Sequence, residues 1–347
     1  MIFLIGNATK NYSICYPVFI IEDSRSLEFP FSMLFFFELF LNFVSFYFVV
    51  KGVYVAARIR SFHRNLTALL IIYLLQWFEG LISNLLIKPY EIGYWPLGDI
   101  RESPYFFIGG FIKWHYILSL ITTLLFVSIE RSFACYFLND YEKKSRNLFF
   151  FLLIFVQFST NMVAAFLFFF NAAHFAVGLA YILSANLIAM GIFSYVKNVN
   201  KQVTKALEDF SNPSVYCLPA RFQARENMRC FQMISRVIIA ALCIIFTGCF
   251  VNLIMYLELA PSIDPLLNLI FECAINLNPV IICPTLMGSV DAWRKFSFSN
   301  GFCKRIKRRM RRRITNVSST DGGFSSKHDK TKKETDAYFD QLNSAWI

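Results

Sequence analysis

Glu130 and Arg131 form the sequence feature with the clearest chemistry, an adjacent acid and base at the end of an apolar segment. No charged residue lies between Lys113 and Glu130. An Arg at a membrane boundary is costly unless it pairs or reaches water. A neighbouring carboxylate can hold it in a resting state, and its release toward a partner protein then gives a two-state switch. From the charges alone, the competing interpretation is an Arg that only anchors the end of a span.

Further ionisable residues lie inside apolar segments, where they are functional candidates. Lys113 and Arg131 are five helical turns apart and therefore share one helix face. A buried Lys must find a carboxylate or lose its proton, so we expect Lys113 to pair with a Glu or with an acidic ligand. Helix packing is the alternative role for such polar residues. The candidate ligand pocket, which fits a small and largely apolar molecule, comprises Glu38, Glu79, Lys113 and Glu272.

No motif of common catalytic or metal chemistry occurs in the sequence. G-x-x-x-x-G-K-[ST], H-E-x-x-H and G-x-S-x-G are all missing. The four His residues are scattered, and none has a Cys or His at metal-site spacing. We therefore expect a protein that is not an enzyme and that uses no cofactor and no metal.

The composition indicates which elements hold these residues. Hydrophobic residues make up 56% of the 347 and charged residues 16%, whereas soluble domains average about 25% charged. A helix of about 20 residues crosses the bilayer core, and the uncharged segments predict an all-α, seven-transmembrane-helix bundle over 29–287. A turn at 171–174 divides the longest of these segments into two spans. The predicted spans are 31–57, 66–87, 110–133, 148–170, 174–196, 235–257 and 265–287.

Lys and Arg are distributed unevenly between the two sides of this bundle. One side carries 26 of them and the other carries four. The positive-inside rule therefore predicts an extracellular N-terminus, 1–28, and a basic cytosolic tail, 288–347, that is largely disordered. Sequons at Asn7 and Asn11 lie in the predicted extracellular segment and are candidate glycosylation sites. The segments counted as cytosolic are 58–65, 138–147, 197–231 and 288–347.

A longer pattern surrounds the Glu–Arg pair and reads E-R-x-x-A-x-Y-F-x-x-D-Y-E from Glu130 to Glu142. Together with Asn278-Pro279 and Pro284 in the seventh span, it resembles the serpentine receptor class epsilon (Sre) family of nematode chemoreceptors. The resemblance covers most of 29–300. It implies a G-protein-coupled receptor in the plasma membrane of chemosensory neurons. Such a receptor would bind a small molecule in the outer half of the bundle and signal to a heterotrimeric G protein, with Glu130 and Arg131 as the coupling switch.

The sequence departs from rhodopsin-like receptors at three places. The start of the third span has no Cys for the usual bridge to the second outer loop, and Asn278-Pro279 is not followed by the usual Tyr. The sixth span has no Pro and hence no predicted kink.

The alternative functions are a transporter, which would favour internal repeats, and a seven-helix ligand-gated channel with an inside N-terminus. No repeats are evident, and the charge distribution opposes the inside N-terminus.

The tail begins with a segment suited to a membrane surface. Residues 291–298 mix charged and aromatic side chains at helical spacing, which predicts a short interfacial helix. Cys303 follows as a candidate palmitoylation site. Residues 304–313 then hold eight positive charges, which predicts binding to anionic lipids at about 1 kcal/mol per charge. We expect no nucleic-acid partner, because the basic residues lie between and after membrane spans.

Overall fold

The computed structural model describes residues 2–7, 10–15, 31–59, 61–91, 94–95, 103–137, 147–208, 218–257, 259 and 261–297. Long helices dominate this part of the chain, and two short strands precede them. The strands are β1 (Ile2–Asn7) and β2 (Lys10–Cys15), which pair antiparallel. The helices are α1 (Phe31–Arg58), α2 (Arg64–Leu75), α3 (Trp77–Glu91), α4 (Pro104–Tyr136), α5 (Asn147–Phe169), α6 (Phe175–Glu208), α7 (Leu218–Tyr256), α8 (Asp264–Ser289) and α9 (Asp291–Ser297), with a 3₁₀ turn at Pro261–Ile263 before α8.

Seven helical segments are long and apolar enough to cross a membrane, which confirms the predicted seven-helix fold. They are α1, α4, α5, α6, α7, α8 and the pair α2–α3, which forms one span from Arg64 to Glu91. Gln76 separates α2 from α3 with a single tight turn. Between α5 and α6, Asn171 has a φ of 50°, a conformation that Asn tolerates better than most residues. This turn lies where the sequence predicts it.

The helix α4 lies at the centre of the bundle and packs against α3, α5, α6 and α7. It is the most buried span, with 56% of its most apolar stretch inside the protein. The pairs α1–α8 and α7–α8 close the other side. Large apolar side chains such as Phe36 and Phe155 point outward, as expected where lipid replaces water as the solvent. The helix α9 belongs to a second unit, which begins at Asp291.

Two helices are much longer than their predicted spans. α6 continues to Glu208, beyond the predicted end at 196, and α7 begins at Leu218 rather than at 235. Most of the segment 197–231, which the predicted spans leave between two membrane helices, is therefore helical. Hydropathy marks only the edge of the apolar stretch, whereas a helix continues where polar side chains can pack. Here Asn200 Nδ2 donates to the carbonyl oxygen of Ala224 at 3.0 Å.

Gly80 on α3 packs directly against the ring of Tyr116 on α4. A Cβ atom there would lie 2.5 Å from Cε1 of the buried Tyr116 ring. We therefore predict that Gly80→Ala displaces Tyr116 and costs about 1–3 kcal/mol of stability, measured by thermal unfolding in micelles. Gly191→Ala on α6 is the matched control, because nothing lies within 4 Å of its Cβ. Equal stability of the two variants would contradict the prediction.

Candidate functional site

Arg131 is completely buried near the end of α4. Its Nε donates to Glu130 Oε2 at 2.5 Å and its Nη2 donates to Glu130 Oε1 at 2.6 Å. This two-fold contact is the geometry in which a guanidinium binds a carboxylate most strongly. The adjacent acid and base of the sequence therefore form a paired, water-excluded site.

Side chains from α6 and α7 add further polar contacts around Arg131. Its Nη1 donates to Asn227 Oδ1 at 3.2 Å and reaches Cys230 Sγ at 3.6 Å. The Asn227 amide in turn donates to Asn200 Oδ1 and contacts Cys135 Sγ, both at 3.4 Å. We call these five residues the Arg131 network. It connects α4, α6 and α7 through polar contacts that are buried from water.

Sequence reasoning did not identify Asn200, Asn227 or Cys230 as members of this site. They lie in segments that the hydropathy pattern assigns to a loop. A signal was nevertheless present, because Gln223, Asn227 and Cys230 recur at i, i+4 and i+7 and so share one helical face. Uncharged residues along one face of a charged segment indicate a packed helix.

The start of α2 also contacts α7 at this end of the bundle. The backbone N–H of His63 donates to Glu226 Oε1 at 2.6 Å. The His63 ring accepts a hydrogen bond from the backbone of Asn65 through Nδ1 at 3.3 Å. Burial lowers the pKa of His63, and the nearby Arg131 lowers it further, against a smaller opposing effect of Glu130. His63 is therefore neutral at pH 7, as an accepting Nδ1 requires.

A second charged site lies at the opposite end of α4. Lys113 Nζ contacts Glu272 Oε1 at 2.6 Å, and both side chains are at least 95% buried. Lys88 contacts Glu38 at 2.5 Å, Glu91 at 2.7 Å and Glu272 at 3.1 Å. We call these five residues the ion cluster. It connects α1, α3, α4 and α8, and the carboxylates surround the two ammonium groups as buried charges require.

Asn276 binds the second oxygen of Glu38 and is itself held by two further polar side chains. Asn276 Nδ2 donates to Glu38 Oε1 at 3.0 Å and its Oδ1 accepts from Asn84 at 3.2 Å. Ser45 donates to the backbone oxygen of Asn276 at 2.9 Å. The free space beside Lys113 is only about 10 Å³. The cluster is thus closely packed around Lys113.

Three of the four predicted pocket residues meet in the ion cluster, and Glu79 does not. Glu79 Oε2 lies 2.8 Å from His115 Nδ1. His115 is two positions after Lys113 and therefore projects from nearly the opposite face of α4. Glu79 on α3 lies on the same side as His115 and therefore contacts it instead of the ion cluster.

Lys88 and Glu91 are members of the ion cluster that sequence reasoning missed. The predicted second span ends at 87, which made Lys88 a loop charge. In the structure α3 continues through Pro89 to Glu91 and places Lys88 against three carboxylates. The i, i+3 spacing of Lys88 and Glu91 was the available signal for an additional helical turn.

The other predicted sites fall in different places. Asn278 and Pro279 lie within α8 and line a cavity in the middle of the bundle. Asn7 ends β1 and Asn11 lies in β2. Cys303 and the basic segment 304–313 lie outside the described residues. Among the residues that the structure describes, no group of three His, Cys, Asp or Glu is placed to hold a metal ion.

The hairpin of β1 and β2 packs at the Lys113 end of the bundle. Trp114 Nε1 donates to the backbone oxygen of Cys15 at 2.9 Å. Ile14 is 1% exposed and contributes to an apolar cluster with Ile87, Phe106 and Phe169. Cys15 is a free thiol, as are the other cysteines that the structure describes. The end of β2 is therefore part of the packed structure at this end.

Seven membrane helices with a buried Glu–Arg pair at one end are the architecture of a serpentine receptor. The whole chain, 1–347, matches the model of the Sre G protein-coupled chemoreceptor family. It is 64% identical to Caenorhabditis elegans serpentine receptor class epsilon-45 over 369 aligned positions, covering 100% of both chains. It is 30% identical to the epsilon-38 receptor of the same nematode, covering 97% of this chain and 98% of the relative. The chain belongs to the Sre family, a family of receptors and not of enzymes.

Proposed function

We propose that this receptor binds a small molecule in the outer half of its bundle and activates a heterotrimeric G protein at the Arg131 end. The family supplies the general basis, since it is a family of G protein-coupled chemoreceptors. The single observation that carries the proposal is the complete burial of Arg131 between Glu130 and α7. A buried, paired Arg at the end of the central helix is the resting half of a two-state switch.

In this proposal the Arg131 end faces the cytosol and the hairpin of β1 and β2 faces outward. The excess of Lys and Arg on the Arg131 side supports that orientation. Glycans on Asn7 and Asn11 would then lie on the outer hairpin. The basic segment 304–313 and a palmitoylated Cys303 would hold the tail at anionic lipids of the inner leaflet. The plasma membrane of chemosensory neurons is the proposed location.

The ion cluster is the proposed place where a ligand acts. Lys113 and Glu272 belong to different helices, α4 and α8, and their contact connects the two. Because only about 10 Å³ is free beside them, a ligand that binds here separates Lys113 from Glu272. α4 also carries Arg131, so a shift of this helix reaches the Arg131 network directly. This is a population shift between two packed arrangements.

The test of the switch is the variant Glu130→Gln. Glutamine keeps the shape of the side chain but removes its charge, and charge-assisted hydrogen bonds are about twice as strong as neutral ones. We predict that ligand-free nucleotide exchange on a purified heterotrimeric G protein rises about threefold or more, because Arg131 is released more often. Receptor in lipid nanodiscs and a panel of purified G proteins provide the measurement.

Asp291→Asn is the matched control for this experiment. Asp291 is an exposed acid on α9 that contacts Arg294, also exposed, so the variant removes one carboxylate charge that is not a member of the Arg131 network. Its basal exchange should equal that of the unchanged receptor. If Glu130→Gln behaves like this control on every G protein that the unchanged receptor activates, Glu130 has no part in the resting state.

A further inference from the structure

A cavity of about 150 Å³ lies in the middle of the bundle, apart from the ion cluster. It extends along α4 from Tyr116 to Val127 and along α7 from Met233 to Ile245. No charged side chain is among the residues that line it, and most of its wall is aliphatic or aromatic. A cavity of this size that is lined by apolar residues accepts a molecule about as large as benzene.

Two buried polar atoms in the cavity wall have no hydrogen-bond partner among the described residues. They are the hydroxyl of Tyr116, which is 2% exposed, and Oδ1 of Asn186, which is 7% exposed. The Asn186 amide nitrogen donates to its own helix, at the carbonyl oxygen of Ile182. One donor and one acceptor thus remain unpaired, and buried polar groups normally have partners.

The wall chemistry defines the molecule that fits. An uncharged ring fills the apolar space, whereas a charged molecule would lose its hydration with no counter-ion to replace it. A hydroxyl on that ring can accept a hydrogen bond from Tyr116 or donate one to Asn186. We propose that this cavity is a binding site for a small neutral molecule of benzene size that carries one hydroxyl group.

The position of the cavity gives such a molecule a route to the switch. Val127 on α4 lies one helical turn before Arg131, and Met233 on α7 lies about one turn after Cys230. Tyr116 borders both this cavity and the free space beside Lys113. An occupied cavity therefore contacts α4 and α7 between the ion cluster and the Arg131 network. Only this effect on signalling rests on the proposed function, and the binding site itself does not.

The experiment compares phenol with toluene, which have nearly the same size but differ in the hydroxyl group. Purified full-length receptor in micelles is unfolded thermally, and the midpoint is followed as each compound is added. Both compounds are expected to raise the midpoint of the unchanged receptor. In Tyr116→Phe the apparent affinity for phenol should fall about fivefold, as expected for one lost hydrogen bond. The affinity for toluene should stay within about twofold.

Ala241→Phe fills the cavity, since Ala241 lines it, and should abolish the response to both compounds. Ile239→Phe is the matched control, because Ile239 is 67% exposed two positions away on the same helix. Its response should equal that of the unchanged receptor. Tyr116→Phe removes a single oxygen and serves as the test if Ala241→Phe does not fold.

Two results would overturn the proposal. One is an unchanged receptor that neither compound stabilises. The other is a midpoint shift that is the same in the unchanged receptor, Tyr116→Phe and Ala241→Phe, which would place the compounds at the micelle boundary. Because the measurement uses no G protein, either result is distinct from a failure of the proposed signalling.

Discussion

Arg131→Ala is expected to reduce agonist-evoked G-protein activation at least about tenfold while the receptor still reaches the cell surface. The reason is that the released guanidinium is the group proposed to contact the G protein, and alanine offers nothing in its place. A tenfold loss corresponds to about 1.4 kcal/mol, which is within the range of one charge-assisted contact. Concentration–response curves at matched surface expression provide the measurement.

The control for this variant is Arg294→Ala. Arg294 is an exposed Arg on α9 that contacts Asp291, so the variant removes the same charge outside the Arg131 network. It should signal normally. Removing Arg131 alone leaves the carboxylate of Glu130 buried, which by itself can cost about 3–5 kcal/mol of stability. The double variant E130Q/R131A removes both charges and separates loss of coupling from loss of fold. Normal signalling by R131A at matched expression would exclude Arg131 from coupling.

The sequence predicts the Glu130–Arg131 pair because its two members are neighbours in the chain. Neighbouring side chains leave a helix about 100° apart, but Glu and Arg are both long enough to meet from adjacent positions, so this contact does not depend on how the helices pack. The contact with Asn227 and Cys230 is different, because it depends on how α7 packs against α4. No local pattern specifies that packing, although the helical face that carries Asn227 was readable.

The ion cluster was predictable in part for a similar reason. The rule that a buried Lys needs a carboxylate indicates that Lys113 has a Glu partner, and the structure supplies Glu272. It does not indicate which of several Glu residues this is. Lys88 was missed because hydropathy detects the apolar part of a helix and ends where the first charge appears. Hydropathy therefore fails to identify charged residues that are buried at the ends of helices.

The apolar cavity could not be predicted from the sequence at all. Its wall combines residues from several helices, and each of them is an ordinary apolar residue of a membrane span. A cavity forms where neighbouring helices do not pack tightly, and this depends on the tertiary structure and not on any one segment. Tyr116 and Asn186 become noteworthy only when the structure leaves their polar atoms without partners.

We predict that removing Glu272 from the ion cluster destabilises the protein more than removing Lys113. Glu272→Leu removes the carboxylate that contacts Lys113 and leaves Lys88 with Glu38 and Glu91. Lys113 then has no carboxylate within salt-bridge distance among the described residues, and an orphaned buried charge costs about 3–5 kcal/mol. Lys113→Met should lower the stability less, because Glu272 still has a salt bridge to Lys88, at 3.1 Å.

The double variant K113M/E272L should be more stable than E272L alone by at least about 2 kcal/mol. Replacing both partners of a buried ion pair by apolar residues is often neutral, whereas removing one of them is not. For a bundle of this size, E272L should lower the midpoint of thermal unfolding by about 10 °C, and the added K113M should restore roughly half of that loss. Unfolding of the four proteins in the same micelles completes a double-mutant cycle.

The same variants separate a structural role of the ion cluster from a role in ligand binding. If ligand acts by separating Lys113 from Glu272, then K113M should shift the potency of an agonist by about tenfold or more, equivalent to about 1.4 kcal/mol. Glu79→Gln is the control, since Glu79 contacts His115 and not the cluster, and it should leave potency unchanged. If the double-mutant cycle shows that Lys113 and Glu272 stabilise the fold together but K113M leaves potency unchanged, the cluster connects α4 and α8 and has no part in ligand recognition. Equal destabilisation by K113M and E272L would instead mean that Lys88 does not compensate for Lys113, against the geometry of the two lysines around Glu272.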